Sequence, residues 1–465
     1  MGDRMKYWLS CGVAVAALAM AGSAVAQGAE PTLPAEDGIS DGIVEAAAPA
    51  APEPAPPPAP AGTISDAISA GKLLLEVRGR YESVDQTKTA VLRDEAEAFT
   101  VRTRLGWETG DWHGLKGLIE FEDVRQLGSE HYQVQVPGAA TPPINGAGKA
   151  RYPIINDPEV TELNRLQLAW NVSPALQLVA GRQRILLEDQ RFIGNVGWRQ
   201  NEQTFDAIRA DGAYGRWKAT YAYIGKVNRI LGEERDWDSD SHILNLGYAF
   251  AEQLRLTGFY YALDFGDSPA NNSATWGAKA SGKTWVGLFQ VAYNATYANQ
   301  SDYHKGTPSF DLDYYSADVA GTFDIYTAKL TYEVLEGNGV RGFTTPLATT
   351  HAFNGWADAW VSPGGNKSFA DGLEDLNFQV VARPRWKWPY LYNLEVTARY
   401  HDFDDQRTGA DLAHEIDLQV TAAITPKLTG LIKYADFDRE SRVPVGTLAP
   451  PPSRSKLWFS LEYKL

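Results

Sequence analysis

The chain has 465 residues, with 43 Lys or Arg against 58 Asp or Glu, a formal net charge of −15, and one cysteine. A nucleic-acid binder would carry a basic footprint, and a single cysteine excludes a disulfide framework and a cysteine-based zinc module. With 14 Trp, 22 Tyr and 17 Phe beside 42 Gly and only 3 Met, the chain is too aromatic for an acidic disordered protein and favours strands and turns.

Residues 1–26 predict a secretory signal peptide. Arg4 and Lys6 precede an apolar run from Tyr7 to Met20, and Ala24-Val25-Ala26 supplies the small-residue cleavage pattern. Cys11 lies inside it, so the mature chain is expected to lack cysteine. Residues 27–71 read as a disordered periplasmic linker: Ala46–Gly62 is almost wholly Ala and Pro, and the stretch is acidic without one basic residue.

From Lys72 to Leu465 the repeating unit is a run of about ten residues with period-two alternation, the dyad signal of a transmembrane strand. Leu73, Leu75, Val77 and Tyr81 oppose Glu76, Arg78, Arg80 and Glu82. Phe99, Val101, Leu105 and Trp107 oppose Arg102, Arg104 and Glu108, and the last run sets Leu457, Phe459, Leu461, Tyr463 and Leu465 against Lys456, Glu462 and Lys464. A soluble sandwich also alternates, but here the non-apolar face is charged strand after strand. Aromatics such as Trp107, Trp170, Trp217 and Tyr463 fall near strand ends, where interfacial girdles lie. Short turns (Asp111–His113, Asn171–Pro174, Gly212–Gly215, Gly321–Asp324, Ile424–Lys427) alternate with long polar segments (125–159, 230–241, 336–374, 437–455). The fold expected is therefore all-β: a transmembrane antiparallel β-barrel over 72–465 of about 18 strands, with 16 also compatible. An even count returns both termini to the periplasm.

Within the body, residues 181–207, GRQRILLEDQRFIGNVGWRQNEQTFDA, closely resemble the signature stretch of the alginate export family of outer-membrane porins, supported by the strand RTRLGWET at 102–109. The resemblance implies an 18-stranded monomeric barrel in outer-membrane lipid, with an arginine-lined constriction passing an anionic polysaccharide outward. Periplasmic export components are a further partner class it brings. By matching positions it nominates Arg182, Arg184, Asp189, Arg191, Arg199, Glu202 and Asp206 as constriction or loop-anchoring residues. The strand alternation adds Arg78, Arg80, Arg102, Arg104, Arg165, Arg383 and Arg399 on the inner face. The turn Ile424–Lys427 is short where the family's secretion porin carries a plug loop.

Strict register would turn Arg182 and Arg184 toward lipid, where a cation near the midplane costs roughly 2–4 kcal/mol. Either a bulge at Gly181 re-aims them, or they lie above the membrane. Leu186–Asn201 reads as a loop folded into the lumen, braced by Glu188, Asp189, Glu202 and Asp206. A row of guanidiniums can replace the solvation of uronate carboxylates bidentately, while interleaved acids keep binding weak enough for passage. The inner face reads as net basic although the chain is acidic. The blander reading is that these pairs satisfy one another and hold the barrel rigid. An uptake porin for small organic anions or oligosaccharides, and a sealed structural or adhesive barrel, are the alternative functions.

Asp236, Asp238 and Asp240 have the spacing of a calcium loop, but Ser241 stands where Gly is needed and Gly247 where Glu should close it. His414-Glu415 is not the start of a HExxH zinc motif. The sequence singles out no catalytic set and no cofactor, so an enzyme is not expected.

Overall fold

The computed structural model describes residues 62–88, 93–128, 130–135, 142–304, 309–361, 369–385, 391–440 and 448–465. The expected signal peptide and linker residues 27–61 lie outside them.

Eighteen strands among these residues close into one antiparallel barrel. The first nine are β1 (Lys72–Gln86), β2 (Glu95–Glu108), β3 (Leu115–Gln126), β4 (Val160–Ser173), β5 (Leu176–Gln183), β6 (Thr204–Tyr214), β7 (Trp217–Asn228), β8 (Trp237–Ala251) and β9 (Leu254–Leu263). The second nine are β10 (Ser273–Val286), β11 (Phe289–Ser301), β12 (Asp311–Phe323), β13 (Tyr326–Glu336), β14 (Gly372–Ala382), β15 (Tyr392–Asp405), β16 (Asp411–Thr425), β17 (Leu428–Arg439) and β18 (Arg454–Lys464). Each strand pairs with its neighbours in sequence, and β1 pairs with both β2 and β18, so no edge is left open. In hydrocarbon that closure is obligatory, because an unpaired backbone N–H or C=O has no water to turn to.

The alternation sorts as expected. Leu73, Phe99, Leu105, Phe121, Leu168 and Ile208 are exposed on the outer face, while Arg78, Arg80, Arg102, Arg104, Glu120 and Glu122 are buried inside. One end carries short turns and the other long connections. Outward Trp107, Trp170 and Trp217 ring the short-turn end. Toward the other end, outward tyrosines donate to carboxylates: Tyr81 to Glu97, Tyr297 to Asp313 and Tyr332 to Glu374, at 2.8–3.2 Å.

Two findings depart from the sequence reading. Residues 62–71, assigned to the linker, are folded: α1 (Ile64–Ser69) opens on a Thr63/Asp66 capping box and docks beside Trp107, whose indole donates to the Ile68 carbonyl at 3.0 Å. The segment 337–361, part of a stretch read as polar, turns into the lumen with the 184–203 loop. Ile193, Trp198, Phe343, Leu347, Trp356 and Trp360 from these loops form one apolar cluster with Phe205, Phe259, Tyr261, Phe403, Phe437 and Trp458 of the wall. A barrel of this strand number is wide enough to leave an aqueous channel; here the two loops fill much of it.

Candidate functional site: the lumen constriction

The 184–203 loop begins where β5 ends and is turned inward by its own apolar residues. Burying Ile185, Ile193 and Trp198 against the wall removes their surface from water. Backbone carbonyls then arrive opposite the charged face of β1. Arg78 donates through Nε to Gln200 Oε1 at 2.9 Å and through Nη1 to the Gly197 carbonyl at 3.2 Å, with Nη2 on the Arg199 carbonyl. Arg80 donates to the Trp198 carbonyl and lies 4.0 Å over the Trp198 ring. Gln200 Nε2 completes the clasp by donating to Thr100 Oγ1 at 2.8 Å.

Most of the remaining arginines are bound to carboxylates. Arg102 pairs with Glu76 and, at 3.0 Å, with Glu462. Arg104 pairs with Glu122, with Glu202 at 3.4 Å and with Glu76 at 3.5 Å. Arg165 grips Glu120 with two bonds of 2.9 Å, and Asn164, the extra residue of a bulge opposite Glu120/Phe121, bridges Glu120 and Glu202 at 2.8 and 2.7 Å. Arg184 reaches Glu202 at 2.7 Å. Burial alone would push the Glu202 carboxyl up; Arg104 and Arg184 outweigh it and hold it well below the usual carboxylate range. Arg199 pairs with Glu82 at 2.9 Å, Asp358 at 3.4 Å and Asp157 at 3.8 Å, so three distant segments meet on one guanidinium.

Farther along the loop, Arg191 donates to Glu333 at 2.6 Å and to Asn354 at 3.0 Å. Asp189 meets Lys279 at 2.8 Å. Burial would raise the Asp189 carboxyl, but Lys279 and backbone donors lower it. Arg399 bonds Gln379 at 2.7 and 3.0 Å and lies 5.2 Å from the Trp356 ring. Arg383 meets Glu395 at 2.9 Å toward the short-turn end.

Two nominated residues stand elsewhere. Arg182 lies opposite lipid-facing Leu166 and opposite Asp206, with the β4–β5 register unbroken through Gly181. No bulge re-aims it. It faces outward near the long-connection end and holds Asp206 through bonds of 2.8 and 3.1 Å, so neither belongs to the constriction. Arg184 does turn inward, because the strand has already ended at Gln183. The calcium spacing is likewise corrected: Asp238 and Asp240 point outward from β8, and Asp236 accepts from the Arg229 amide and pairs with Lys226 at 3.1 Å. A strand spreads alternate residues along one face instead of gathering them around an ion.

The sequence reading missed the far wall of the constriction. His351 stacks on Trp198, with ring centroids 4.3 Å apart and planes 3° from parallel, and its Nδ1 lies 3.0 Å from Asp358. Lys433 sits 3.6 Å over the Trp356 ring. Glu415 accepts from the Ala357 amide at 2.7 Å beside Gly355, whose positive φ and proximity to that carboxylate leave no room for a Cβ. The signal available was the run of Phe343, Leu347, Trp356 and Trp360 in a segment otherwise read as solvated. On the short-turn side of the loops an open concavity is lined by Asn294, Asp318, Thr322, Lys329 and Gln379 among others.

Solved outer-membrane channels share this fold at low identity. Pseudomonas aeruginosa OpdK with vanillate superposes at a TM-score of 0.64 with 14% identity, over 86% of this chain and 99% of that one. Pseudomonas aeruginosa OccK9 (OpdG) gives 0.63 and 14%, over 86% and 100%. Acinetobacter baumannii OccAB2 gives 0.63 and 14%, over 86% and 99%. No protein of curated function matches the sequence. The alginate export profile matches residues 72–304, from β1 through β11 and the whole 184–203 loop, and by that match the chain, an outer-membrane β-barrel porin, belongs to the alginate export family.

Proposed function

We propose that the protein is a passive pore for uronate-containing anionic carbohydrate. The observation that carries this reading is the arginine series of β1, β2, β4 and the 184–203 loop, set inside the lumen where that loop meets the wall and within the segment that the family profile matches. A polyuronate can exchange carboxylate for carboxylate along Arg102, Arg104, Arg165, Arg184 and Arg199, because those guanidiniums already sit against one. The alternating acids keep each contact short-lived. The gradient sets the direction of movement. The short-turn end, where β1 starts and β18 ends, faces the periplasm. The protein acts as a monomer without catalysis, and the carbohydrate reaches it from periplasmic export components.

A second reading, small-carboxylate uptake, is favoured by the two loops that narrow the lumen and by the fold shared with OpdK, solved with vanillate. Reconstitution in planar bilayers separates the two. The first expects anion selectivity and current block by oligouronates that strengthens with chain length. Block by monocarboxylates alone selects the second reading, and cation selectivity overturns both.

A further inference from the structure

Helix α1 has a use that the barrel does not account for. Its six residues are held from one side: Ala67 is buried, its carbonyl accepts from the Gly110 amide at 2.8 Å, and the Ile68 carbonyl accepts from the Trp107 indole. Trp107 belongs to the outward series with Phe99 and Leu105 and pairs with outward Leu73 across the ladder. The helix therefore lies against the outer rim of the barrel, not across its mouth.

Ile64 and Ile68, four residues apart and so on one helical face, are 56% and 52% exposed, close to exposed Leu73. Ser65 and Ser69 occupy the adjoining face. Two large aliphatic side chains held in a capped helix, continuous with the lipid-facing band and next to a rim tryptophan, fit the boundary between headgroups and acyl chains.

We propose that α1 is an interfacial foot. It seats Ile64 and Ile68 in the bilayer surface at the short-turn end and fixes the point from which the preceding Ala/Pro segment departs to the rim of the pore. Water is the wrong neighbour for this face, and no described residue of the chain covers it.

The test uses the full-length protein with Cys11→Ser, which leaves the sequence without cysteine. Single variants Ile64→Cys, Ile68→Cys and Ser69→Cys carry a nitroxide label in liposomes of phosphatidylethanolamine and phosphatidylglycerol. Retained heat-modifiable migration on gels shows that each barrel has folded. Labels at 64 and 68 are expected to collide several-fold more often with oxygen, relative to a water-soluble nickel chelate, than the label at 69. Equal ratios at the three positions, or predominant nickel access at 64 and 68, overturn the proposal. As a second measurement, Ile64→Asp/Ile68→Asp is expected to raise protease cleavage between residues 46 and 71 several-fold in the same liposomes. Unchanged cleavage counts against the foot even if the labels are ambiguous.

Discussion

Arg78 separates two meanings of a lumen arginine. A residue that binds the passing anion loses selectivity when truncated, whereas one that holds a loop loses the loop. Its three donors go to Gln200, Gly197 and Arg199 of the 184–203 loop, and its one nearby carboxylate, Glu462, is at 4.0 Å. Hydrogen bonds from a charged donor are worth roughly 1.5–3 kcal/mol each, and bonds sharing one guanidinium are not additive. Arg78→Ala should therefore weaken the loop's hold by about 3–4 kcal/mol, which raises the released population about 10²–10³-fold at 1.4 kcal/mol per decade. Lysine keeps the charge without the planar fork and should fall between. Single-channel recording is the assay, with open probability and amplitude read beside the reversal potential across a salt gradient. The expected result is more frequent and larger openings with the anion-to-cation ratio little changed. Unaltered openings with a sharply reduced ratio would refute the reasoning and make Arg78 a pore-lining charge.

Three further outcomes follow from the same geometry. Glu202→Gln removes the carboxylate that sits 2.7 Å from Arg184; cutting such a buried pair costs about 3–5 kcal/mol, read as faster hydrogen exchange of the loop amides near residue 202, and adding Arg184→Gln should cost less than the two singles combined. Burial, and then Lys433, hold the His351 imidazole well below its usual range. The unfolded loop thus binds more protons than the folded one as pH falls below about 6.5, so the contact between the loops should be fully held above that pH and weaken on acidification. Openings should become more frequent at pH 5 than at pH 7, and His351→Asn should abolish the difference. Arg182→Ala removes a partly exposed pair with Asp206, worth at most about 1 kcal/mol, and a bond to the Leu163 carbonyl, both on the outer face; conductance and selectivity should match the parent, and a marked fall in selectivity would return Arg182 to the lumen.

The barrel was legible because lipid and lumen impose opposite chemistries on alternate residues, and β1 and β2 keep that alternation from end to end. The inward course of the 184–203 loop was legible for a related reason: its apolar residues need cover. The facing of single residues at a strand end was not. Arg182, Gln183 and Arg184 differ in direction because regular extended backbone stops between the second and third of them. The partners of Arg199 were equally invisible, since Asp157 and Asp358 come from separate connections, and no periodicity links residues so far apart. The 337–371 segment misled because its overall polarity hid Trp356 and Trp360.

This pairing changes what the basic inner face does. The arginines where the 184–203 loop meets the wall are buried and mostly matched by Glu76, Glu82, Glu120, Glu122, Glu202 and Glu462, so most of their field is spent on holding loop and wall together. By strand register Lys116, Lys218 and Arg255 also face inward, but nearer the short turns, and they are exposed. Exposed cations in a low-dielectric funnel raise the local concentration of an anion, and they do so without an internal pair that must first be broken. On the proposed function, the division that results is electrostatic capture at the short-turn mouth, followed by passage along a charge-compensated constriction where each step exchanges one carboxylate for another. A polymer with regularly spaced carboxylates makes that exchange repeatedly, whereas a neutral sugar would have to leave every pair intact and slip past. The acidic total of the chain is no obstacle, since a permeating anion responds to the charges at the mouth and along the lumen, not to their sum over the protein.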